Sequence, residues 1–385
     1  MWKAVASNAL TLLIVVIFLA GGVVIWGKSQ YTAEGPLAEA VCVRVPSGAR
    51  MSAVSEDLEE KGAVTSGAIF RMGADYTKKT NQLKAGSFLV PPGASMEEIV
   101  DIVTRGGANT CGSQIIYRIG VTSAVAEVRE FDAAAGRYEE KAEFELASEE
   151  PKPEAFTAMR ARADTVYRVV VAEGVTSWQV ADALARVDVL AGEVAEVPAE
   201  GSLAPDSYEV REGADRVALI DRMQAAQAEI LAEAWANRAE DLPYDSPEEA
   251  LIMASIVEKE TGVAEERRQV ASVFVNRLNK GMRLQTDPTV IYGITGGEGV
   301  LGRGLRRSEL DRETPYNTYQ IDGLPPTPIA NPGRASIEAA LDPAETEFIF
   351  FVADGTGGHA FAVTLDEHNE NVARWRQIEA ERQGN

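Results

Sequence analysis

The chain has 385 residues and a formal net charge of −22 at pH 7. A chain this acidic lacks the basic surface on which nucleic-acid binding depends, so nucleic acid is excluded as a partner. Its length predicts two or three domains besides any membrane anchor.

The first predicted element is an apolar run from Ala9 to Trp26, interrupted only by Thr11 and two glycines. At about 1.5 Å per residue it spans roughly 27 Å, close to the bilayer core of about 30 Å. No small-residue cleavage site follows it. We therefore predict an uncleaved signal anchor over residues 9–28, with residues 1–8 in the cytoplasm and the remaining chain outside. A buried globular helix is the alternative, and the lysine asymmetry that supports this orientation is small.

The two cysteines, Cys42 and Cys111, flank a first candidate domain over residues 40–112. Outside the cytoplasm they could pair, and a loop of that length would contribute about 4 kcal/mol on the chain-entropy model. Two free buried thiols are the alternative. A zinc site is not expected, because the chain has only two histidines and no close cysteine pair.

A weak internal repeat follows the anchor. Strand, glycine turn and helix are predicted first over residues 43–58, with Ser52 as the helix cap, and again over residues 169–184, with Thr176 as the cap. Both copies, over 40–112 and 165–214, resemble the LysM-like α/β modules of cell-wall proteins. In the first copy a further strand is predicted near residues 86–90. An ordinary α/β spacer is the alternative to both modules. Residues 113–164 between them are predicted as an acidic linker or insertion that could in part form strands, and 148–154 is its clearest linker.

The last predicted domain, residues 215–385, opens with a helix over about 215–237. A second helix begins at Ser246-Pro247-Glu248-Glu249, a predicted capping box. Residues 250–257 are apolar or small throughout, so this helix should be buried nearly all round, and Gly262 should stop it. It carries two carboxylates at its end, Glu258 and Glu260.

Burial of a carboxylate is costly, and these two are therefore candidates for a general acid. Glu260 shares its helix face with larger apolar residues than Glu258 does. The two sets are Met253, Ile256 and Val257 for Glu260, and Leu251, Ala254 and Ser255 for Glu258. Larger neighbours favour desolvation and a raised pKa, which favours Glu260, with Glu258 second. The alternative is a salt bridge to Arg267 or Arg268, although residues 265–268 are expected to form a solvated first turn of the next helix.

Several ordered blocks resemble the endolytic murein transglycosylase family, also called MltG-like or YceG-like. The blocks are Ala254–Thr261, Val270–Leu278, Gly281–Gly293, Tyr316–Tyr319, Gly323–Pro326 and Phe351–His359. The resemblance implies an α+β protein with an N-terminal transmembrane helix, LysM-like modules and a lysozyme-like lytic transglycosylase domain. It also implies one essential glutamate followed by a small hydroxyl residue, a pattern that Glu260-Thr261 fits better than Glu258-Lys259.

By this resemblance the protein would be anchored in the bacterial inner membrane with its catalytic domain in the periplasm. It would cleave the MurNAc–GlcNAc β-1,4 bond inside peptidoglycan glycan strands. A lytic transglycosylase uses the C6 hydroxyl of the same MurNAc, so one carboxyl can act as acid and then base and leave a 1,6-anhydro end. No metal or organic cofactor is expected. Peptidoglycan synthases (penicillin-binding proteins) are the expected partners.

The remaining blocks would line the glycan groove. Four candidates lie in a predicted loop-to-strand segment, and three more belong to a Tyr-Asn element similar to the one that faces the acid in such enzymes. They are Gln285, Thr286, Asp287 and Tyr292, and Tyr316, Asn317 and Tyr319. Asp287 before Pro288 is interpreted as a turn former rather than a second acid. The Tyr-Asn element could instead be an ordinary loop. His359 could touch substrate but is not assigned to catalysis.

Two other functions remain open at this point. One is a non-catalytic peptidoglycan-binding scaffold for wall synthases. The other is a muramidase that gives reducing ends, against which the lack of an obvious second carboxylate argues.

Overall fold

The computed structural model describes residues 2–46, 48–105, 110–162 and 165–383, with side chains from residue 11 to 382. The predicted cytoplasmic segment 1–8 therefore lies outside the described side chains. The fold is mixed α+β, as predicted. The chain forms two compact units, one of residues 1–115, 127–143 and 151–166, the other of residues 116–126, 144–150 and 167–385.

The first unit begins with helix α1 (Trp2–Thr32). Its segment Thr11–Thr32 has a mean hydropathy of 2.2 and is long and apolar enough to cross a membrane. The apolar side chains of residues 12–19 and 23–26 are 47–77% exposed, which is not the pattern of a buried globular helix. The helix runs past the predicted anchor, and the buried Tyr31 packs closely on Gly73, where any side chain would collide with its ring.

Five further elements and one short 3-10 turn complete most of this unit. They are β1 (Val41–Val45), α2 (Met51–Glu60), α3 (Gly67–Tyr76), the turn Thr80–Gln82, β2 (Gly86–Val90) and α4 (Met96–Arg105). β1 and β2 pair antiparallel. Strand β2 is where the sequence predicts it. Arg50, and not Ser52, occupies the N-cap position of helix α2, and its side chain makes no capping hydrogen bond. The likeness to LysM modules remains a prediction.

Cys42 and Cys111 form a disulfide with a Cα–Cα distance of 5.9 Å. The bond closes a loop around the strands and helices of this unit, since the two residues are 69 positions apart. A loop of that size contributes about 4 kcal/mol on the chain-entropy model. The alternative of two free thiols is therefore not what the structure shows.

A five-stranded sheet has the order β5-β4-β3-β6-β8. Its strands are β3 (Ser113–Ile119), β4 (Ala124–Asp132), β5 (Arg137–Glu145), β6 (Val166–Val171) and β8 (Ser207–Val210). Strands β3, β4 and β5 lie within residues 113–164, which the sequence predicted as a linker or insertion that could in part form strands. β5 is an edge strand with no fully buried position, in keeping with its polar composition. Residues 148–153 have no regular structure, and α5 (Glu154–Arg160) follows them.

The second candidate module differs from the first. It contains a single helix, α6 (Ser177–Arg186), where the first has three, and its strand β6 belongs to the five-stranded sheet. Thr176 caps α6 as predicted, in a capping box with Gln179. Two short strands, β7 (Leu190–Ala191) and β9 (Ala214–Asp215), pair in parallel. The two segments therefore share only the strand, turn and helix of the predicted repeat, and the rest of each candidate module is different.

The remaining elements of the second unit are mostly helical. They are α7 (Arg216–Ala236), α8 (Pro247–Glu260), the 3-10 turn Ala264–Glu266, α9 (Arg267–Asn279), α10 (Asp287–Thr295), α11 (Arg307–Leu310), α12 (Arg334–Leu341), β10 (Phe350–Ala353), β11 (His359–Ala362) and α13 (Leu365–Gln383). Helix α8 packs against α7, α9, α10 and α12. Its residues 252–257 are all buried, which confirms the prediction of an almost wholly buried helix.

Candidate active site

Helix α8 is fixed at both ends. The Ser246 hydroxyl accepts a hydrogen bond from the Glu249 N–H at 3.3 Å, as a capping box requires. The Glu249 carboxylate accepts from the Asp245 N–H at 2.7 Å, one residue before its expected partner. The helix ends at Glu260, because Thr261 is already extended with φ −141° and ψ 131°. Glu260 is therefore the last residue of α8, and the chain turns away from the helix directly after it.

The Glu260 carboxyl is partly buried and has one oxygen engaged. The Thr286 hydroxyl donates a hydrogen bond to Oε1. Within the ranges that the structure describes, no hydrogen bond reaches Oε2. Burial raises the pKa of Glu260, and the negative charge of Asp287 raises it further. The Thr286 hydrogen bond and the charge of Arg277 lower the same pKa and partly offset the effect, as does the charge of His359 when its ring is protonated.

A chain of hydroxyl groups holds Thr286 in place. Its N–H donates to the Thr318 hydroxyl at 3.0 Å, and that hydroxyl lies 2.9 Å from the hydroxyl of Thr289. Gln285, beside it, has a φ of +52°, and its N–H donates to the Thr318 carbonyl at 3.1 Å. A left-handed conformation is uncommon for a residue other than glycine and persists where the surroundings fix it. The predicted groove segments 285–289 and 316–319 are thus joined beside Glu260.

Asp287 is an exposed carboxylate next to this site. The sequence predicted a loop-to-strand segment here, and that prediction is wrong: Asp287 begins helix α10, with Pro288 in the first turn. Proline and an acidic residue favour a helix start, whereas the β-branched and aromatic residues that follow resemble a strand. The Tyr319 hydroxyl donates to Asp287 at 2.7 Å. A second carboxylate therefore lies near enough to Glu260 for its charge to act on that carboxyl, although the sequence analysis interpreted Asp287 only as a turn former.

Tyr292 and Tyr316 form an aromatic pair whose ring centroids are 5.1 Å apart. The Tyr292 hydroxyl donates to the partly buried Glu200 at 3.1 Å, and the Tyr316 hydroxyl lies 2.8 Å from that of Thr327. Tyr292 also lines a pocket of about 320 Å³ whose other lining residues include Lys259, Pro288 and Ile291. Both tyrosines are half-buried, so each leaves part of its ring for contact.

Asn317 is not placed with the other predicted groove residues. Its side chain is fully buried, and its amide nitrogen donates to three main-chain carbonyls, those of Glu309, Leu310 and Arg312. Its amide oxygen accepts from the Tyr319 N–H at 3.0 Å. With donors and acceptor used inside the protein, Asn317 shapes the loop that carries Tyr319 rather than presenting its own amide to a ligand.

Glu258, the second candidate acid, has a structural contact. Its carboxylate accepts a hydrogen bond at 3.0 Å from the N–H of Gly333, the residue that caps α12. The salt-bridge alternative does not describe either glutamate. Arg267 approaches Glu173 at 3.9 Å, and Arg268 pairs with Asp342 at 2.8 Å.

A Glu–His pair near Glu260 was missed by the sequence analysis. Glu266 binds His359 twice, with Oε1 accepting from the His359 N–H at 3.0 Å and Oε2 lying 2.8 Å from its ring Nδ1. Both side chains are 17% exposed, so the expectation of a solvated turn is wrong for Glu266. It is also wrong for Arg267, which is 15% exposed. The pair is 93 residues apart in sequence, so no local signal could join it.

In the part of the chain that the structure describes, no group of three or more His, Cys, Asp or Glu residues is placed to hold a metal ion. The chemistry available at the end of α8 is therefore that of one desolvated carboxyl with hydroxyl, carboxylate and imidazole neighbours.

The chain matches known proteins over most of its length. It is 28% identical over 353 residues to a protein of Bacillus subtilis (strain 168) named endolytic murein transglycosylase, covering 91% of this chain and 89% of that protein. It is 30% identical over 343 residues to the protein of that name from Streptococcus pneumoniae serotype 2 (strain D39 / NCTC 7466), covering 86% of this chain. It spans 58% of that relative's length.

A 2.6 Å crystal structure of a yceG-like protein from Listeria monocytogenes is 26% identical, with a TM-score of 0.45, and covers 86% of this chain and 98% of that one. The family profile described as YceG-like matches residues 43–374. That match takes in both units and every candidate residue at the end of α8. The chain belongs to the YceG-like family.

Proposed function

We propose that this protein is a membrane-anchored endolytic lytic transglycosylase that cleaves peptidoglycan glycan strands. The observation that carries the proposal is the Glu260 carboxyl, which ends a buried helix and has a raised pKa. Thr286 bonds one of its oxygens, and none of the described residues donates a hydrogen bond to the other. Such a carboxyl can remain protonated toward neutral pH and donate its proton. The curated relatives, named endolytic murein transglycosylase, support murein as the substrate.

In the first step, Glu260 donates the proton on Oε2 to the oxygen that links MurNAc to GlcNAc. The bond between this oxygen and C1 of MurNAc breaks as positive charge develops on the MurNAc ring. Glu260 becomes a carboxylate, and the Thr286 hydroxyl and Arg277 favour this charged form. Each of them therefore stabilises the product of the proton transfer.

In the second step, the Glu260 carboxylate takes the proton from the C6 hydroxyl of the same MurNAc. The oxygen of that hydroxyl forms a bond to C1 and closes a 1,6-anhydro ring. Glu260 is protonated again, and no water is consumed. A single carboxyl thus acts as acid and then as base.

We propose that five side chains around Glu260 contact the glycan, namely Gln285, Asp287, Tyr292, Tyr316 and Tyr319. Thr286 is buried and acts through its hydrogen bond to Glu260 instead. Gln285 and Asp287 are exposed beside the catalytic carboxyl, and tyrosine rings can stack on sugar rings while their hydroxyls bind polar groups. Asn317 is not included, because its amide is bonded inside the protein.

The setting is proposed from the first unit. Helix α1 would be a single-pass anchor in the inner membrane, with the N-terminus in the cytoplasm and the catalytic domain in the periplasm. Its exposed apolar side chains and the disulfide Cys42–Cys111 support this setting, because disulfides persist in oxidising compartments. Peptidoglycan synthases are the proposed partners. LysM-like binding of glycan by the first unit is also a proposal.

One observation favours a second candidate function. Asp287 lies near enough to Glu260 for its charge to raise the pKa of that carboxyl. A muramidase needs such a second carboxylate to position a water or to act as nucleophile. The engagement of Asp287 by the Tyr319 hydroxyl and its place at a helix start argue for a structural and electrostatic role instead.

The test is digestion of peptidoglycan by the full chain in detergent, with Glu260→Gln and Glu258→Gln as matched variants two residues apart on the same helix. Product masses should show 1,6-anhydro ends for wild type and Glu258→Gln, and no cleavage by Glu260→Gln. Loss with Glu258→Gln alone would move the acid to that residue. Reducing ends would indicate hydrolysis, and no cleavage by folded wild type would favour a non-catalytic scaffold.

A further inference from the structure

Glu266 holds His359 in one orientation. One carboxylate oxygen accepts from the main-chain N–H of His359 at 3.0 Å, and the other is 2.8 Å from the ring Nδ1. The ring also packs edge-on against Phe351, with centroids 5.2 Å apart. Two hydrogen bonds and an aromatic contact fix both the backbone and the ring, although β11, which begins at His359, lies at the edge of a two-stranded sheet.

The contact with Glu266 selects the tautomer. An ionised carboxylate only accepts hydrogen bonds, so Nδ1 must carry a proton. In the neutral ring, Nε2 is then an acceptor with a free lone pair. Within the described ranges Nε2 makes no hydrogen bond and is not among the buried unpartnered atoms, so it is open to solvent.

This acceptor lies in the neighbourhood of the catalytic carboxyl. Glu266 lies in the 3-10 turn Ala264–Glu266, which follows the end of α8 at Glu260, so its two contacts hold His359 near that end. When its ring is protonated, the charge of His359 also acts on Glu260. The other charged groups that act on or contact His359 are Glu266 and Asp354. An oriented acceptor near the reacting bond fits a ligand that carries hydroxyl donors, and a glycan carries several on each sugar.

We propose that Nε2 of His359 accepts a hydrogen bond from a hydroxyl of the glycan bound at Glu260, and that Glu266 is the positioning residue that sets this tautomer. The proposal rests on the proposed function for the identity of the ligand. His359 would then contact the substrate directly, and Glu266 would act only by orienting the His359 ring.

Two groups of variants separate recognition from packing. His359→Phe keeps a ring against Phe351 but removes the acceptor, whereas His359→Gln keeps an acceptor. Removing one neutral hydrogen bond of about 1.4 kcal/mol corresponds to about a tenfold loss of kcat/KM. We expect that loss for His359→Phe and less than about threefold for His359→Gln. Equal losses in both variants would overturn the proposal.

Glu266→Gln tests the tautomer. Its single carbonyl oxygen must satisfy the His359 N–H, so its NH₂ group faces Nδ1 and forces the proton to Nε2. We expect about a tenfold loss of kcat/KM, and none for the exposed neighbour Glu265→Gln, the matched control. Unchanged activity of Glu266→Gln would remove the positioning role.

The decisive readout is ¹⁵N NMR of the imidazole rings. The chain has two histidines, so His368→Gln identifies the His359 signals. In Glu260→Gln, which binds without turnover, unlabelled glycan should shift the acceptor-type Nε2 resonance of His359. In Glu266→Gln that resonance should be of the protonated type. An Nε2 resonance unmoved by saturating glycan overturns the inference, whereas cleavage by wild type in the same preparation would leave the proposed function standing.

Discussion

The Thr286 hydroxyl donates a hydrogen bond to Oε1 of Glu260, across 26 residues of sequence. This hydrogen bond lowers the pKa of Glu260, whereas burial raises it. Burial favours the protonated carboxyl that the first step needs, and the Thr286 hydroxyl favours the carboxylate that the second step needs. Because burial and the Thr286 hydrogen bond shift the pKa of Glu260 in opposite directions, the same side chain can donate a proton in the first step and accept one in the second.

Replacing Thr286 should therefore disturb both rate and pH dependence. Thr286→Val removes the donor at similar volume, so the carboxylate loses a hydrogen bond and the pKa of Glu260 rises. We expect kcat to fall about tenfold or more and the alkaline limb of the pH–rate profile to move to higher pH. Thr286→Ser should restore both. A fall in kcat for Thr286→Val without movement of the limb would mean that the hydroxyl does not act on Glu260.

The raised pKa of Glu260 should also reduce stability at neutral pH. A carboxyl whose pKa is higher in the folded than in the unfolded protein favours folding below its ordinary value of 4.5, and this contribution disappears as pH rises through the folded pKa. Each pKa unit corresponds to about 1.4 kcal/mol.

Glu260→Gln cannot ionise, so its free energy of unfolding should match wild type at acid pH and exceed it near pH 7. Urea unfolding across this range, with Glu258→Gln for comparison, measures the difference. A Glu260→Gln protein that is less stable than wild type at pH 7 would contradict the assignment.

Asp287→Asn separates an electrostatic role from a catalytic one. Because the charge of Asp287 raises the pKa of Glu260, its removal should move the alkaline limb of the pH–rate profile to lower pH. At acid pH the rate should stay within a few-fold of wild type, and products should keep anhydro ends. The exposed Asp221 on α7 offers a control, since Asp221→Asn should change nothing. Loss of activity by several orders of magnitude at every pH would make Asp287 a catalytic group.

The sequence contains most of what defines α8. Its start at Ser246-Pro247, its buried face and the choice of Glu260 all depend on local signals, namely a cap and the size of neighbouring side chains. The strand at 86–90 and the cap at Thr176 were equally local. The choice of Glu260 as the acid itself stays a prediction until the variants are measured.

The sequence-based interpretation failed where the surrounding structure, and not the local pattern, determines the conformation or contacts of a residue. The strand predicted after Asp287 is helix α10, because Pro288 and the N-terminal aspartate favour a helix start over the strand propensity of the following residues. Asn317 was assigned to the groove from the resemblance of its Tyr-Asn element to that of lytic transglycosylases, but three carbonyls bind its amide inside the protein. The Glu266–His359 contact joins segments far apart in sequence and leaves no periodic signal.

Glu258 should prove structural. Its carboxylate accepts from the N–H of Gly333 at the start of α12, a cap whose loss costs about 1 kcal/mol. Glu258→Ala should therefore lower the free energy of unfolding by about that amount and leave kcat/KM within a few-fold, whereas Glu258→Gln, which keeps an acceptor oxygen, should lose less stability. Urea unfolding and product formation measured on the same preparations test this. Unchanged stability with abolished cleavage would reverse the roles of the two glutamates.

The central claim is that one carboxyl cleaves the glycan without consuming water. Digestion by wild-type protein in H₂¹⁸O tests it directly, with products read by mass spectrometry. If the C6 hydroxyl of MurNAc attacks C1, the new ends will have the 1,6-anhydro mass and contain no solvent oxygen. New reducing ends that carry ¹⁸O from the earliest time points would contradict the mechanism and show that the enzyme hydrolyses its substrate.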